Sequence, residues 1–405
     1  MKIGILTFYK VANFGANLQA ISTYRYLKRN GFTPIFINYM SRSMYISLEK
    51  NANTLNWKEH LRLVNEIITE QTKVCFSGEE ILNVIQKNKI DAVIIGSDAL
   101  LQHHPLISRI RMGKRNPLHI IKCDETRLFP NPFWGLGYSG TVPTAMMSVS
   151  SQNSPFFLFS NSLKRKMRNA LFKMCYISVR DEWTKEMVES ILPNSQIEVT
   201  PDPVFAFNYN AVDLIPSKKT TVQKFGISDK YILVSLYNMC VKEDVLVEIK
   251  NYYSAKNIQV ILLPIPNGSP FNHPLDYEIK VPLSPLDWYA LLKYSYAYIG
   301  SNMHPIVVCL HNGVRCYSID NWGRANYFGH KKNDGSSKVM HILDVFGVGC
   351  NHKFVENFKC RVSPKEIIDS IESFPQEKVK EMSKEYYMRY EKMMSDIIGK
   401  LSNQM

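Results

Sequence analysis

The feature that most constrains this chain is a change of period that repeats along it. Short apolar runs of the buried-strand kind are each followed by a loop, then by a stretch whose apolar residues recur at three and four. KIGILTFY opens the chain as such a strand. The loop KVANFGAN follows, then the helical stretch LQAISTYRYLKRNGF, ended by Gly31, then the strand TPIFINY. A helix that crosses between two strands makes them parallel. NVIQKNKIDAVIIGSD repeats the logic, with a helix end, a buried strand over 92–95 and a loop at Gly96-Ser97-Asp98. MMSVSS, CYISVRDE and IEVTPDPV read as further short strands.

A polar, turn-rich stretch at 206–228 interrupts the pattern, which then restarts. YILVSLYN is a strand, a helix follows, then QVILLPIP, a helix over LDWYALLKYSY, the strand AYIG and another helix. The chain has 405 residues, more than one compact core accommodates. The expected fold is therefore α/β, with two Rossmann-like domains facing a cleft: 1–205, and 206–370 as the donor-binding one. Residues 371–405, with the charged amphipathic run QEKVKEMSKEYYMRYEKMMSDIIGK, are expected to form a helix packing back on the first domain. No run of 18 apolar residues occurs, and the N-terminal apolar stretch is too short for a signal peptide. The expected location is cytoplasmic, with peripheral contact at the inner membrane face left open.

Net charge is +13, which directs attention to acidic partners: nucleic acid, an anionic membrane surface or phosphorylated small molecules. The basic run 164–168 with Lys173, and a second loop with Arg109, Arg111, Lys114 and Arg115, lack interleaved stacking aromatics. That argues against nucleic acid. Such runs are most often solvated faces, and a minority touch phosphate or anionic lipid. The eight cysteines form no CxxC pair and read as reduced thiols. Cys350 and His352 lie two apart with no further ligands at usual spacing, so neither a metal nor a cofactor is expected.

In open α/β sheets ligands bind beyond the carboxyl ends of the strands. That rule selects Asn13-Phe14-Gly15-Ala16-Asn17, Gly96-Ser97-Asp98, 148–153 with Ser151, Arg180-Asp181-Glu182, Asp202, Tyr237-Asn238, 264–268 and 301–304. The last is the sharpest. Ser301 fits an N-cap, and a helix start there favours an anion. His304, in the first turn, either donates to a phosphate or moves a proton, or it merely caps or packs. Arg180 either points at the cleft edge or pairs with Asp181 or Glu182. Asp98 is either a catalytic carboxylate or the cap of the next segment. The NFGAN loop has a single glycine, and neither GxGxxG nor a Walker motif occurs.

Taken in order, these segments resemble the polysaccharide pyruvyl transferase family. The likeness is carried by MKIGILTFYKVANFGANLQAISTYRYLKRNGF, DAVIIGSD, NPFWG, SVSS, ISVRDE, VTPDPVF and GSNMHPIVVCLHNGV, over roughly 1–330. The resemblance implies a glycosyltransferase-B-like pair of Rossmann domains. It implies transfer of the enolpyruvyl carbons of phosphoenolpyruvate to two hydroxyls of a sugar, in a lipid-linked or free oligosaccharide of a capsular or exopolysaccharide repeat unit, with release of phosphate. By the same resemblance His304 contacts the donor or acts as general acid, and Arg180 clamps its phosphate or carboxylate. Ser301, Asn302 and Met303 complete the donor side, and Asn13, Asn17 and Ser151 are assigned to the acceptor.

Two positions depart from the family pattern. Asn302 stands where the family has arginine before x-His, and Arg315 where it has proline. An asparagine donates hydrogen bonds but carries no charge, so it does not replace a bidentate arginine. Either another cation such as Arg315 serves, or the donor pocket has changed. Two other functions fit the same scaffold: a glycosyltransferase using a nucleotide-sugar, and a non-catalytic sugar- or anion-binding relative.

Overall fold

The computed structural model describes residues 1–113, 117–237, 241–265, 273–356 and 362–404. Lys114 and Arg115 of the second basic loop, Asn238 and residues 266–268 lie outside them.

Six strands form the first sheet: β1 (Lys2–Leu6), β2 (Thr33–Phe36), β3 (Ala92–Asp98), β4 (Thr144–Val149), β5 (Tyr176–Val179) and β6 (Glu198–Val199). Their spatial order is β2-β1-β3-β4-β5-β6, and every neighbouring pair is parallel. The second sheet holds β7 (Tyr231–Ser235), β8 (Gln259–Leu262), β9 (Tyr277–Glu278), β10 (Ala297–Gly300), β11 (Arg315–Asp320) and β12 (His352–Phe354). Its order is β9-β8-β7-β10-β11-β12, again parallel throughout. Helices cover both faces of each sheet, which is why β3 and β7 read as unbroken apolar runs rather than alternating ones. In each half the strand order reverses once, between β1 and β3 and between β7 and β10. Crevices for ligands open at such switch points.

The expected α/β pair of Rossmann-like halves is therefore present. Two local readings need correction. The helix expected to start at Leu18 spans Phe14–Arg29, because the Asn13 carboxamide oxygen accepts from the Ala16 N–H at 3.1 Å and turns NFGAN into a helical first turn. The polar, turn-rich break expected at 206–228 begins in the core. Asp202 caps the turn Pro203–Ala206, and the chain stays buried through Phe207. One apolar cluster runs through this turn from Ile3 and Leu18 to Met303, Ile306 and Leu401, so the two halves share packed interior where they meet.

The C-terminal helix Gln376–Ser402 crosses back over that junction. Gln376 Nε2 donates to the Gly313 carbonyl at 3.0 Å, and Ser383 Oγ donates to the His311 carbonyl at 2.9 Å. Further along, Tyr386 meets Phe205 edge-on at 4.8 Å and Tyr390 meets Tyr26 at 5.5 Å. Arg389 donates to the Val199 carbonyl at 2.8 Å. No described helix is long and apolar enough to cross a membrane.

We propose that 1–205 and 206–370 are the two folding units and that 371–405 clamps them. Tyr390 is fully buried, so Tyr390→Ala is expected to cost about 3–5 kcal/mol and to split a single urea transition into two. A variant that unfolds in one step at the wild-type midpoint overturns the clamp.

Candidate functional site

The carboxyl ends of both sheets face a cavity of ≈ 300 Å³. From the first half it is lined by Asn13, Phe14, Gly15, Asp98 and Gln152; from the second, by Ser235, Asn302, Met303, His304, Trp322 and Lys338, among others. Phe14 and Gly15 follow β1, Asp98 ends β3, Ser235 ends β7 and His304 follows β10. The two switch points thus open onto one space. Phe14 stacks on Trp288 across the boundary, rings 5.0 Å apart and 10° from parallel.

His304 is brought against the opposite half by a glycine. A Cβ placed on Gly15 would lie 2.1 Å from the His304 ring, so only glycine lets the imidazole rest on the start of the Phe14–Arg29 helix. Behind the ring lies a buried polar cluster built on Asp202. Its Oδ2 accepts from Arg180 Nη1 at 3.0 Å and from Gln19 Nε2 at 2.5 Å, and its Oδ1 accepts from the Val204 N–H at 2.9 Å. His304 Nε2 sits 3.8 Å from the same carboxylate, too far for a hydrogen bond. That nitrogen, together with Arg180 Nε and Nη2, is buried without a hydrogen-bond partner among the described residues.

The charges follow from this packing. Burial holds the His304 imidazole at a pKa of about 4; Asp202 opposes this, while Arg180 and Lys338 reinforce it. The ring is therefore neutral at pH 7, yet 15 % of the side chain is exposed, enough for a ligand to reach it. For Arg180, burial works against the charge, and Asp202, Asp98 and Asp181 outweigh it and raise its pKa. Burial and the neighbouring Arg180 lower Lys338 to about 8.

The residues expected from sequence are only partly brought together. Asn13, Asp98, Asn302, Met303 and His304 line the cavity. Asp98 Oδ1 also accepts from its neighbour Ala99 N–H at 2.6 Å, and no helix starts there for it to cap. Arg180 is not a lining residue; it pairs with Asp202, not with Asp181 or Glu182. Asp181 is instead the cap of the helix Glu182–Ile191. Ser301 is not the N-cap. Asn302 occupies that position without a side-chain capping bond, and Ser301 Oγ donates to the Ile319 carbonyl at 2.6 Å. Asn17 and Ser151 are fully buried and do not reach the cavity. The Asn17 amide donates to the Tyr9 carbonyl at 2.6 Å and its oxygen faces His60 Nδ1 at 2.5 Å, while Ser151 is bonded to Thr184. His352, two residues from Cys350, starts β12 and pairs with Asp320 at 3.0 Å. The run 164–168 lies on the helix Asn161–Leu171, whose inner face is Met167, Ala170 and Leu171.

Sequence reasoning placed Asp202 at a strand end without a role and did not single out Gln19, Trp322 or Lys338. Lys338 had one local signal, the Ser-Ser-Lys that opens the helix Lys338–Val345, with Ser337 as cap. A larger hollow of ≈ 1080 Å³ is lined by Arg168, Tyr176 and Glu198, on the strand-start side of the first sheet. Open α/β sheets do not bind ligands at that end.

Comparison with known proteins agrees with this fold. Residues 13–323 match the family Polysaccharide pyruvyl transferase. No curated protein matches the chain. Among solved structures, the chain is similar to a UDP-N-acetylglucosamine 2-epimerase from Rickettsia bellii, with TM-score 0.54, 9 % identity and coverage of 99 % of this chain and 97 % of that one. It is similar to the UDP-GlcNAc 2-epimerase of Methanocaldococcus jannaschii (TM-score 0.51, 14 % identity, 92 % of each chain). It is also similar to the glycotransferase of kitacinnamycin (TM-score 0.51, 10 % identity, 99 % and 98 %). At such identities the likeness is one of fold, the glycosyltransferase-B arrangement of two facing Rossmann-like halves.

Gly15→Ala places a methyl inside the His304 ring and is expected to displace the imidazole; a crystal structure of the variant with an unmoved ring would refute this. A second expectation concerns acid. Burial, the largest cause in each case, lowers His60, His103, His104 and His304 to about 4 and His311 to about 3. In the unfolded chain a histidine titrates near ~6.5, so below that pH the unfolded state binds protons that the native state refuses. Stability should be fully present above pH ~6.5 and fall as pH drops toward ~4. A urea midpoint that stays constant through that window contradicts the neutral buried histidines.

Proposed function

The chain belongs to the polysaccharide pyruvyl transferase family, and we propose that it transfers the enolpyruvyl group of phosphoenolpyruvate to two hydroxyls of a sugar, releasing phosphate. The observation that carries this reading is His304. It sits in the first turn of a helix, its Nε2 has no partner among the described residues, and it faces a cavity where both switch points meet. The cavity is at the small end for ligand sites, which suits a three-carbon phosphate ester.

In this reading the methylene carbon of the donor takes a proton from His304, and positive character develops at the carbon bearing the phosphate oxygen. One sugar hydroxyl bonds to that carbon and gives up its proton, with Asp98 as the nearby base. The carbon–oxygen bond to phosphate breaks, and the second hydroxyl closes the ketal as its own proton leaves. His304 is neutral in the free protein, and the donor's negative charge raises its pKa, so a proton enters with the donor. Arg180 offers two unpartnered N–H edges behind the ring, and Ser301 and Met303 hold the helix start in place. The acceptor lies toward Asn13, whereas Asn17 and Ser151 support the loops beneath.

The acceptor in this proposal belongs to a capsular or exopolysaccharide repeat and is lipid-linked, with the protein touching an anionic membrane surface. In support, Ile107, Leu118, Ile120, Phe157 and Phe328 are exposed, and Arg109 and Arg111 lie on the same segment as Ile107. The Met112 N–H donates to the Tyr327 carbonyl at 2.7 Å, which joins that segment to the second half. The fold likeness to nucleotide-sugar enzymes motivates the second reading, a glycosyltransferase.

Purified protein given phosphoenolpyruvate, with lipid-linked or free oligosaccharides, separates these readings by product mass. The expected product gains one pyruvate less one water, with equimolar phosphate, and forms faster on the lipid-linked acceptor in anionic vesicles. Gain of a hexose from a nucleotide-sugar establishes the glycosyltransferase instead. Donor binding without turnover on any acceptor establishes a non-catalytic relative. His304→Gln should lower turnover by about 10²- to 10⁴-fold with donor binding nearly kept. An equal loss of binding overturns the acid role.

A further inference from the structure

We propose that Lys338 supplies the positive charge that holds the anionic donor in this chain, providing in the same cavity what the neutral Asn302 does not. Among the described residues that line the cavity, Lys338 is the only lysine or arginine. No described carboxylate forms an ion pair with it, and its ammonium rests 5.7 Å from the Trp322 ring. The three acidic groups nearest in charge are engaged elsewhere. Asp202 holds Arg180, Asp181 accepts from the Thr184 N–H and from Ser150, and Asp98 accepts from Ala99.

Its place in the chain supports the same assignment. Lys338 is the first residue of the helix Lys338–Val345. A lysine there opposes the helix dipole, which favours anions at its start. A cation and a helix N-terminus that repel each other both gain when a phosphate or carboxylate comes between them. Burial and Arg180 already hold the ammonium at about 8, so it is still mostly charged at pH 7 and gains further from an anion.

Asn302 is not idle. Its carboxamide oxygen accepts from the Tyr237 hydroxyl at 2.7 Å, and it faces the same ≈ 300 Å³ as Lys338. Arginine added at 302 would bring a second cation into a space already holding one. Arg315, the cation that sequence suggested as a substitute, is in the wrong place. It starts β11, its guanidinium lies 4.3 Å from the Tyr296 ring, and the cavity is at the other end of that strand, roughly 17 Å away at ~3.3 Å per residue.

That the bound anion is phosphoenolpyruvate rests on the function proposed above; the charge site does not, because inorganic phosphate alone reads it. Calorimetric titration with each anion should compare wild type, Lys338→Met, Lys338→Arg, Asn302→Arg and the Lys338→Met/Asn302→Arg double variant, each checked for an unchanged melting transition. Lys338→Met should weaken both anions by about 10- to 150-fold, the range for one charge-assisted contact. Lys338→Arg should stay near wild type. Asn302→Arg alone should weaken binding by crowding like charges, and in the double variant it should restore binding. Wild-type affinity in Lys338→Met overturns the proposal, as does a wild-type protein that binds neither anion. A double variant with no recovery overturns the exchange with position 302. Binding that depends on Lys338, in a wild type that transfers no pyruvate to any acceptor, leaves the charge site standing and removes the transferase reading.

Discussion

A carboxylate that is 2 % exposed and bonded from three sides sets the geometry around the cleft. Asp202 accepts from Arg180 at the end of β5, from Gln19 in the Phe14–Arg29 helix and from its own turn at Val204. A charge so buried costs several kcal/mol unless its partners are all in place, so the three segments are tied to one arrangement. The turn that Asp202 caps leads straight into Pro203–Ala206, where the Ser22 hydroxyl donates to the Pro203 carbonyl at 2.7 Å and Tyr386 packs on Phe205. One interaction therefore holds the first half, the chain's passage into the second half and the returning helix in register.

What this arrangement leaves incomplete bears on function. Among the described residues Arg180 gives one nitrogen to Asp202 and keeps Nε and Nη2 unpartnered, His304 is held neutral a little too far from the same carboxylate, and Lys338 has no counter-ion. Buried donors without acceptors are normally avoided, because each forfeits its hydration. Here His304 and Lys338 line the cavity and Arg180 lies buried behind them, an arrangement that fits the anion site proposed above. The net charge of +13 does not explain this, since among the described residues lining the cavity Lys338 is the only lysine or arginine. The charge that the proposal uses is local, on two side chains that the fold places behind and beside one histidine.

Much of the framework was legible without coordinates. The strands over 92–95 and at AYIG, and the switch-point loops beyond them, follow from apolar period and from where parallel sheets bind ligands. The reading failed where side-chain bonds overrode composition. NFGAN has the glycine and asparagines of a loop, yet Asn13 caps it into a helix and Gly15 is needed for ring contact, not for a turn. Asn17 and Ser151 lie in the right loops, but their polar atoms are used to pin those loops. Position within a loop locates a residue to a few ångströms and does not say which way it faces.

By itself the sequence determined the two α/β halves, the place of the cleft, and His304 at a helix start that faces it, because these depend on short-range period and on rules of parallel sheets. It also marked Asn302 as a missing charge. Only the tertiary structure brings Lys338 to the same cavity, since it is 36 residues further along and reaches it through a separate helix after β11. It likewise decided that Gly15 and His304 touch, that Arg180 pairs with Asp202, and that Arg315 points away at the far end of its strand. Contacts between residues distant in sequence depend on how packed halves meet, and no local pattern of residues encodes that meeting.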